Sequence, residues 1–145
     1  MSETNQNLVV NDSTKKDLDN EKICFVIMPI SNHEAYDIGH FDRVYTNIFK
    51  PAIIKAGFIP KRADECDKTN VIILDIIDNI IKADMVICDL STSNPNVMYE
   101  LGIRQAYDRP VTLVKDKISK RIFDIERFSR LHPNRLVIFS ASLIT

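Results

Sequence analysis

The chain has 145 residues, the size of one ordinary domain with a single sizeable core. Hydrophobic residues make up 45% and charged residues 27%, the balance of a globular chain, and no apolar run is long enough to cross a bilayer, so no membrane partner is expected. Nineteen basic and twenty acidic side chains leave a net charge of −1, so no global positive field exists to hold nucleic acid by its phosphates. Cys24, Cys66 and Cys88 are odd in number and lack close pairing or histidines at ligand spacing. This argues against a disulfide framework and against a zinc site, and leaves reduced thiols in a cytoplasmic protein. No metal or cofactor is implied.

From Met1 to about Glu21 the chain is polar, broken only by Leu8-Val9-Val10, and reads as a flexible tail ahead of one α/β domain spanning 22–145. It has no basic start followed by a long apolar stretch, so no secretory signal is expected. Ile23 to Met28 is a continuous apolar run stopped by Pro29, the pattern of a strand buried on both faces. Phe41 to Ala56 carries Val44, Ile48, Ala52 and Ala56 at helical spacing, with Gly57 as a stop and Pro51 as a kink or break. Phe58 to Arg62 reads as a short strand, and Val71 to Lys82 as an amphipathic helix. Met85 to Leu90 is a third strand, closed by Ser91-Thr92-Ser93-Asn94-Pro95-Asn96, a cluster of cap and turn formers. A helix over roughly Val97 to Tyr107 follows, then strands at Val111 to Val114 and Leu136 to Phe139, with a charged stretch between them that suits a helix around Ile122 to Phe128.

Strand and helix alternate, and right-handed crossovers turn that alternation into a parallel sheet covered on both faces. The expected fold is α/β: a three-layer flavodoxin-like sheet of about five strands in order 2-1-3-4-5. Sites in such sheets form beyond the carboxyl ends of the strands where the order reverses, here the loops after the first and third strands. Asp89 stands at the end of the third strand and Glu100 in the first turns of the next helix, so both carboxylates are expected to face one crevice. Helix N–H groups and the helix dipole are expected to keep Glu100 ionised. A glutamate there also serves capping, so spacing alone leaves both readings open. Tyr45 is placed either to meet a ligand or to pack half-buried. His33 and His40 read as solvated loop histidines, and Asp84 as a residue that caps a helix or starts a strand. Arg62, Asp64 and Glu65 follow the second strand, where an acid can bind a ribose hydroxyl in dinucleotide folds.

Ala83-Asp84-Met85-Val86-Ile87-Cys88-Asp89-Leu90, then Asn94-Pro95-Asn96-Val97-Met98-Tyr99-Glu100-Leu101-Gly102 and Arg109-Pro110-Val111, resemble the nucleoside 2-deoxyribosyltransferase-like family. Phe25 to Pro29, Phe41-Asp42-Arg43-Val44-Tyr45, Lys50-Pro51-Ala52, Ala56-Gly57 and Arg62-Ala63-Asp64-Glu65 resemble its short prokaryotic branch, so the likeness runs over roughly residues 23 to 115. The resemblance implies cleavage of the N-glycosidic bond of a nucleoside or nucleotide, with Glu100 as nucleophile; Asp84 and Asp89 are, by proximity, the candidates to protonate the leaving base, Asp89 being favoured. A second base gives transfer, and water gives hydrolysis. Pro29, Ser31, Asp42, Tyr45, Asn94 and Asn96 are the substrate-binding candidates. The first loop departs from the active transferases: it has only Gly39 and carries the acids Glu34 and Asp37, so a 5′-phosphate is not assigned. Two other readings stand beside this one, a Toll/interleukin-1-receptor-like domain that cleaves NAD and a non-catalytic nucleotide-sensing module. All three suit a homo-oligomer, because one small sheet leaves the crevice open on one side and related enzymes close it with a neighbouring subunit. The edge strand near Thr145, with no helix after it, is the dimer candidate.

Overall fold

The computed structural model describes residues 21–65, 72–120, 125 and 136–140. The tail before Glu21, Cys66 and the helix expected around Ile122 to Phe128, Ile125 excepted, lie outside the described residues. Five parallel strands form one sheet: β1 (Ile23–Ile27), β2 (Ile59–Arg62), β3 (Met85–Asp89), β4 (Val111–Lys115) and β5 (Leu136–Ser140), in the expected order 2-1-3-4-5. With helices on both faces this is a three-layer flavodoxin-like α/β fold. Among the described residues no helix is long and apolar enough to cross a membrane.

Strand alternation divides the core in two. Phe25 and Ile27 of β1 and Val86 and Cys88 of β3 point into one core, and Cys24 and Val26 point into the other with Met28 just beyond the strand. Each of these side chains is nearly or fully inaccessible, worth about 1.5 to 3 kcal/mol apiece for the larger ones. Cys24 and Cys88 behave as small hydrophobes. Burial pushes the Cys24 thiol up to about 11 and the Cys88 thiol well above its ordinary value, so neither is a nucleophile at neutral pH.

The second core is covered by α1 (His40–Val44), a π-helical turn over Tyr45–Phe49 and α2 (Lys50–Lys55). The break expected at Pro51 falls in the turn before it. Pro51 has no N–H to offer the Asn47 carbonyl, and the Lys50 N–H reaches back five residues to the Tyr45 carbonyl. Gly57, at φ 83°, then ends the helix, with Gly57 N–H on Ile54 O and Phe58 N–H on Ile53 O.

The first core is covered by α3 (Ile72–Lys82) and α4 (Pro95–Ala106). α4 begins two residues before the expected start, because the Asn94 side chain caps it by accepting from the N–H groups of Asn96 and Val97 at 2.9 and 3.4 Å, and Pro95 fits the first turn. Arg104 of α4 is completely buried. Its guanidinium donates to the carbonyls of Ile80, Ile81 and Ala83 at the end of α3 and to Pro110 before β4. Asp84 accepts from Ile23 N–H at 2.9 Å, which puts it at the start of the strands, the end opposite the expected crevice.

Candidate functional site

A cavity of about 230 Å³ lies at the carboxyl end of β1, the strand at which the order reverses. Val26, Met28, Pro29 and Ile30 supply the wall from β1 and its exit. Ala63 comes from the end of β2, Ile76 from α3, and Asn94, Asn96, Val97 and Glu100 from the start of α4. The walls are mainly apolar with a few polar groups converging, the usual make-up of a small-molecule site.

Glu100 is the acid in this cavity. It is half-buried, and among the described residues nothing hydrogen-bonds to its carboxyl. Burial raises its pKa from 4.5 to about 7. This corrects the expectation that the helix holds it ionised. With α4 starting at Pro95, Glu100 is the sixth helical residue, past the free N–H groups and past the turn over which the dipole acts. At neutral pH the group is therefore poised between its two forms.

Asp89, expected beside Glu100, does not line the cavity. It is 1% exposed, its Oδ1 accepts from Ser91 N–H at 2.9 Å, and its Oδ2 is buried without a hydrogen-bond partner among the described residues. Burial raises its pKa, and the neighbouring Asp116 adds to the rise. The two acids therefore do not share one hollow: Asp89 turns toward the β3–α4 turn and Asp116, while Glu100 turns toward β1.

Of the remaining candidates, Pro29, Asn94 and Asn96 line the cavity, and Ser31, Asp42 and Tyr45 do not. Ser31 is exposed in the loop after β1. Tyr45 is 2% exposed and packs in the second core, where its hydroxyl donates to Glu65 Oε2 at 2.6 Å. Asp42 pairs with Arg62, whose guanidinium also meets Asp64 and lies 4.5 Å from the centroid of the Tyr45 ring. Arg62, Asp64 and Glu65 are thus tied into a network with α1 and the π-helical turn, and Ala63 within that segment forms cavity wall. Sequence reasoning missed Ala63 and Ile76. The strand order carried a signal for Ala63, since placing β2 beside β1 brings the end of β2 to the crevice. Among the described residues no three His, Cys, Asp or Glu side chains converge to hold a metal ion.

No family model matches the sequence, and no curated protein sequence matches it. Among solved structures the chain is similar to a CMP N-glycosidase, BcmB, from Clostridium botulinum, with a TM-score of 0.60 over 83% of this chain and 90% of that one, at 11% identity. At that identity the likeness is one of fold. The chain is thus a flavodoxin-like α/β protein with an acid-bearing cavity at its topological switch point.

Proposed function

We propose that this protein cleaves the N-glycosidic bond of a nucleoside or nucleotide, with Glu100 as the catalytic carboxylate. The observation that carries the reading is a single half-buried glutamate, free of hydrogen-bond partners among the described residues, facing a sugar-sized hollow at the switch point. The fold shared with a protein named as a CMP N-glycosidase supports it. In its ionised form Glu100 attacks the anomeric carbon, the C1′–N bond breaks, and its electron pair leaves with the base, which takes a proton from water. Water then attacks the glycosyl ester, releasing the sugar and restoring the carboxylate; a second base in place of water gives transfer. Asn94 and Asn96 offer amide groups at the rim for sugar hydroxyls, and Pro29 and Val97 shape the apolar wall. Small-molecule sites span roughly 300 to 1,000 Å³. A cavity of about 230 Å³ falls below that range, which suits one sugar with part of its base and disfavours NAD.

The test is free-base release from a panel of nucleosides, nucleoside monophosphates and NAD, comparing wild type with Glu100→Gln. The amide keeps the shape and removes the nucleophile, so turnover should fall by roughly a thousandfold, about 4 kcal/mol of barrier. Equal rates in the two proteins would sink the mechanism. The burial of Asp89 favours a second reading, because the cavity is left without the expected proton donor. In that reading the protein binds a nucleotide without turning it over, and ligands raise its melting temperature with no product formed.

A further inference from the structure

A second hollow, of about 320 Å³, opens on the other side of the β3–α4 turn. Three loops that follow strands build it: His33, Ala35 and Tyr36 after β1, Thr92 and Ser93 after β3, and Ser119 with its neighbours after β4. Ser93 lines this hollow and Asn94 lines the Glu100 cavity, so one peptide bond, a Cα step of about 3.8 Å, separates the two.

The second hollow is held rigid from beneath. The Tyr36 hydroxyl donates to Asp116 Oδ2, and Ser119 N–H donates to Asp116 Oδ1 at 2.7 Å. Ser119 Oγ accepts from Thr92 N–H at 3.0 Å, and Ser91 Oγ accepts from Asp116 N–H at 3.2 Å. The Tyr36 ring packs at a tilt on His40 and Phe41, 4.6 and 5.2 Å away between centroids. Thr92 and Ser93 both adopt left-handed backbone, at φ 70° and 53°, a conformation that a β-branched threonine rarely takes unless its surroundings impose it.

The lining decides the class of ligand. The backbone N–H groups of Thr92 and Ser93 are already spent on Ser119 Oγ and Leu90 O, so no nest of free amides awaits a phosphate. Tyr36, Ala35 and Ile118 supply most of the wall, and His33, Thr92, Ser93, Ser119 and Lys120 bring an imidazole, three hydroxyls and one ammonium to it. Carbon walls with hydroxyls and a single ammonium fit a flat ring whose edge carries N–H donors and carbonyl or ring-nitrogen acceptors, the latter within the reach of a Lys120 donor. We propose that this hollow is a binding site for a free nucleobase, held against Tyr36 and hydrogen-bonded by the β3–α4 and β4 loops, separate from the Glu100 cavity and independent of its chemistry.

One base against one ring gives weak binding, with a dissociation constant on the order of 1 mM. The experiment is therefore an amide chemical-shift titration of the full chain with adenine, cytosine and uracil, with inorganic phosphate in a parallel series. At least one base should shift the Thr92, Ser93 and Ser119 resonances saturably and leave those of Asn96, Val97 and Glu100 nearly still. Ala35→Trp fills the hollow from an exposed position and spares every side-chain hydrogen bond named here; it should weaken that binding about tenfold or more. Glu100→Gln should bind the base as wild type does, even if its glycosidase activity is gone. Shifts confined to the Glu100 cavity, undiminished binding in Ala35→Trp, or a hollow that responds to phosphate and to no base would each overturn the proposal, and the wild-type map decides even if Ala35→Trp fails to fold.

Discussion

At the scale of single residues, two acids separated by one turn and the start of a helix behave differently because their surroundings differ. Glu100 faces a hollow and has a pKa of about 7, set by burial. If it acts as the nucleophile it works ionised, so kcat/KM should rise with pH through about 7 and level off above it, read from initial rates between pH 5 and 9. A rate that falls through 7 would make it a proton donor instead. The same group links pH to stability. Its folded value lies above its ordinary 4.5, so the stability of the protonated form is full below about 4.5 and is lost as pH rises through 7. Glu100→Gln should therefore melt higher than wild type at pH 8, by on the order of 2 kcal/mol at most after allowance for partial exposure, with the difference vanishing near pH 4. Asp89 also has a raised pKa, but inside the protein and away from the cavity. Asp89→Asn should keep turnover within about threefold and gain stability at neutral pH, where the buried charge is most costly. A loss as deep as that of Glu100→Gln would return Asp89 to the catalytic machinery.

At the scale of elements, β1, β3 and β4 were legible because strands buried on both faces write continuous apolar runs, whereas the start of α4 was legible only to within two residues, since the run Ser91 to Asn96 offers several cap formers and only the fold selects Asn94. What the sequence hid were side-chain directions set by long-range partners. Asp89 and Tyr45 stand where a ligand could meet them, yet Asp89 turns to Ser91 N–H and Tyr45 to Glu65, choices that depend on how the loop after β3 and the end of β2 settle. Arg104 is the plainest case: in sequence it is one more charge on a helix, and in the fold it is fully buried, joining α4 to the last carbonyls of α3 and to Pro110. Burial lowers its pKa to about 10, so it remains charged at neutral pH, with carbonyl dipoles as its partners. Arg104→Met would fill similar space and leave those carbonyls without a donor, costing about 3 to 5 kcal/mol by urea denaturation. Arg104→Lys should recover little, since an ammonium cannot span both sets of carbonyls as the planar guanidinium does. A loss below about 1 kcal/mol for Arg104→Met would show that water can take over those carbonyls.

At the scale of the whole molecule, β1 belongs to both cores, and the Glu100 cavity draws on both as well: Val26 and Met28 come from the second, Val97 and Ile76 from the first. Neither face can loosen without exposing the strand they share, so the described fold should unfold as one unit. Tyr45 allows a check, since it lies in the second core and gives a near-ultraviolet signal there, while the far-ultraviolet signal reports the helices on both faces. Thermal melts followed by near-ultraviolet and far-ultraviolet circular dichroism should coincide. A nucleoside seated in the Glu100 cavity touches residues of both cores and should therefore move that single transition as a whole. At a ligand concentration one hundred times its dissociation constant the stabilisation is about 2.7 kcal/mol. For a domain of this length that is an upward shift of roughly 8 °C, the same by both probes. Two transitions, of which the ligand moves only one, would mean that the faces melt separately and that the cavity belongs to one of them alone.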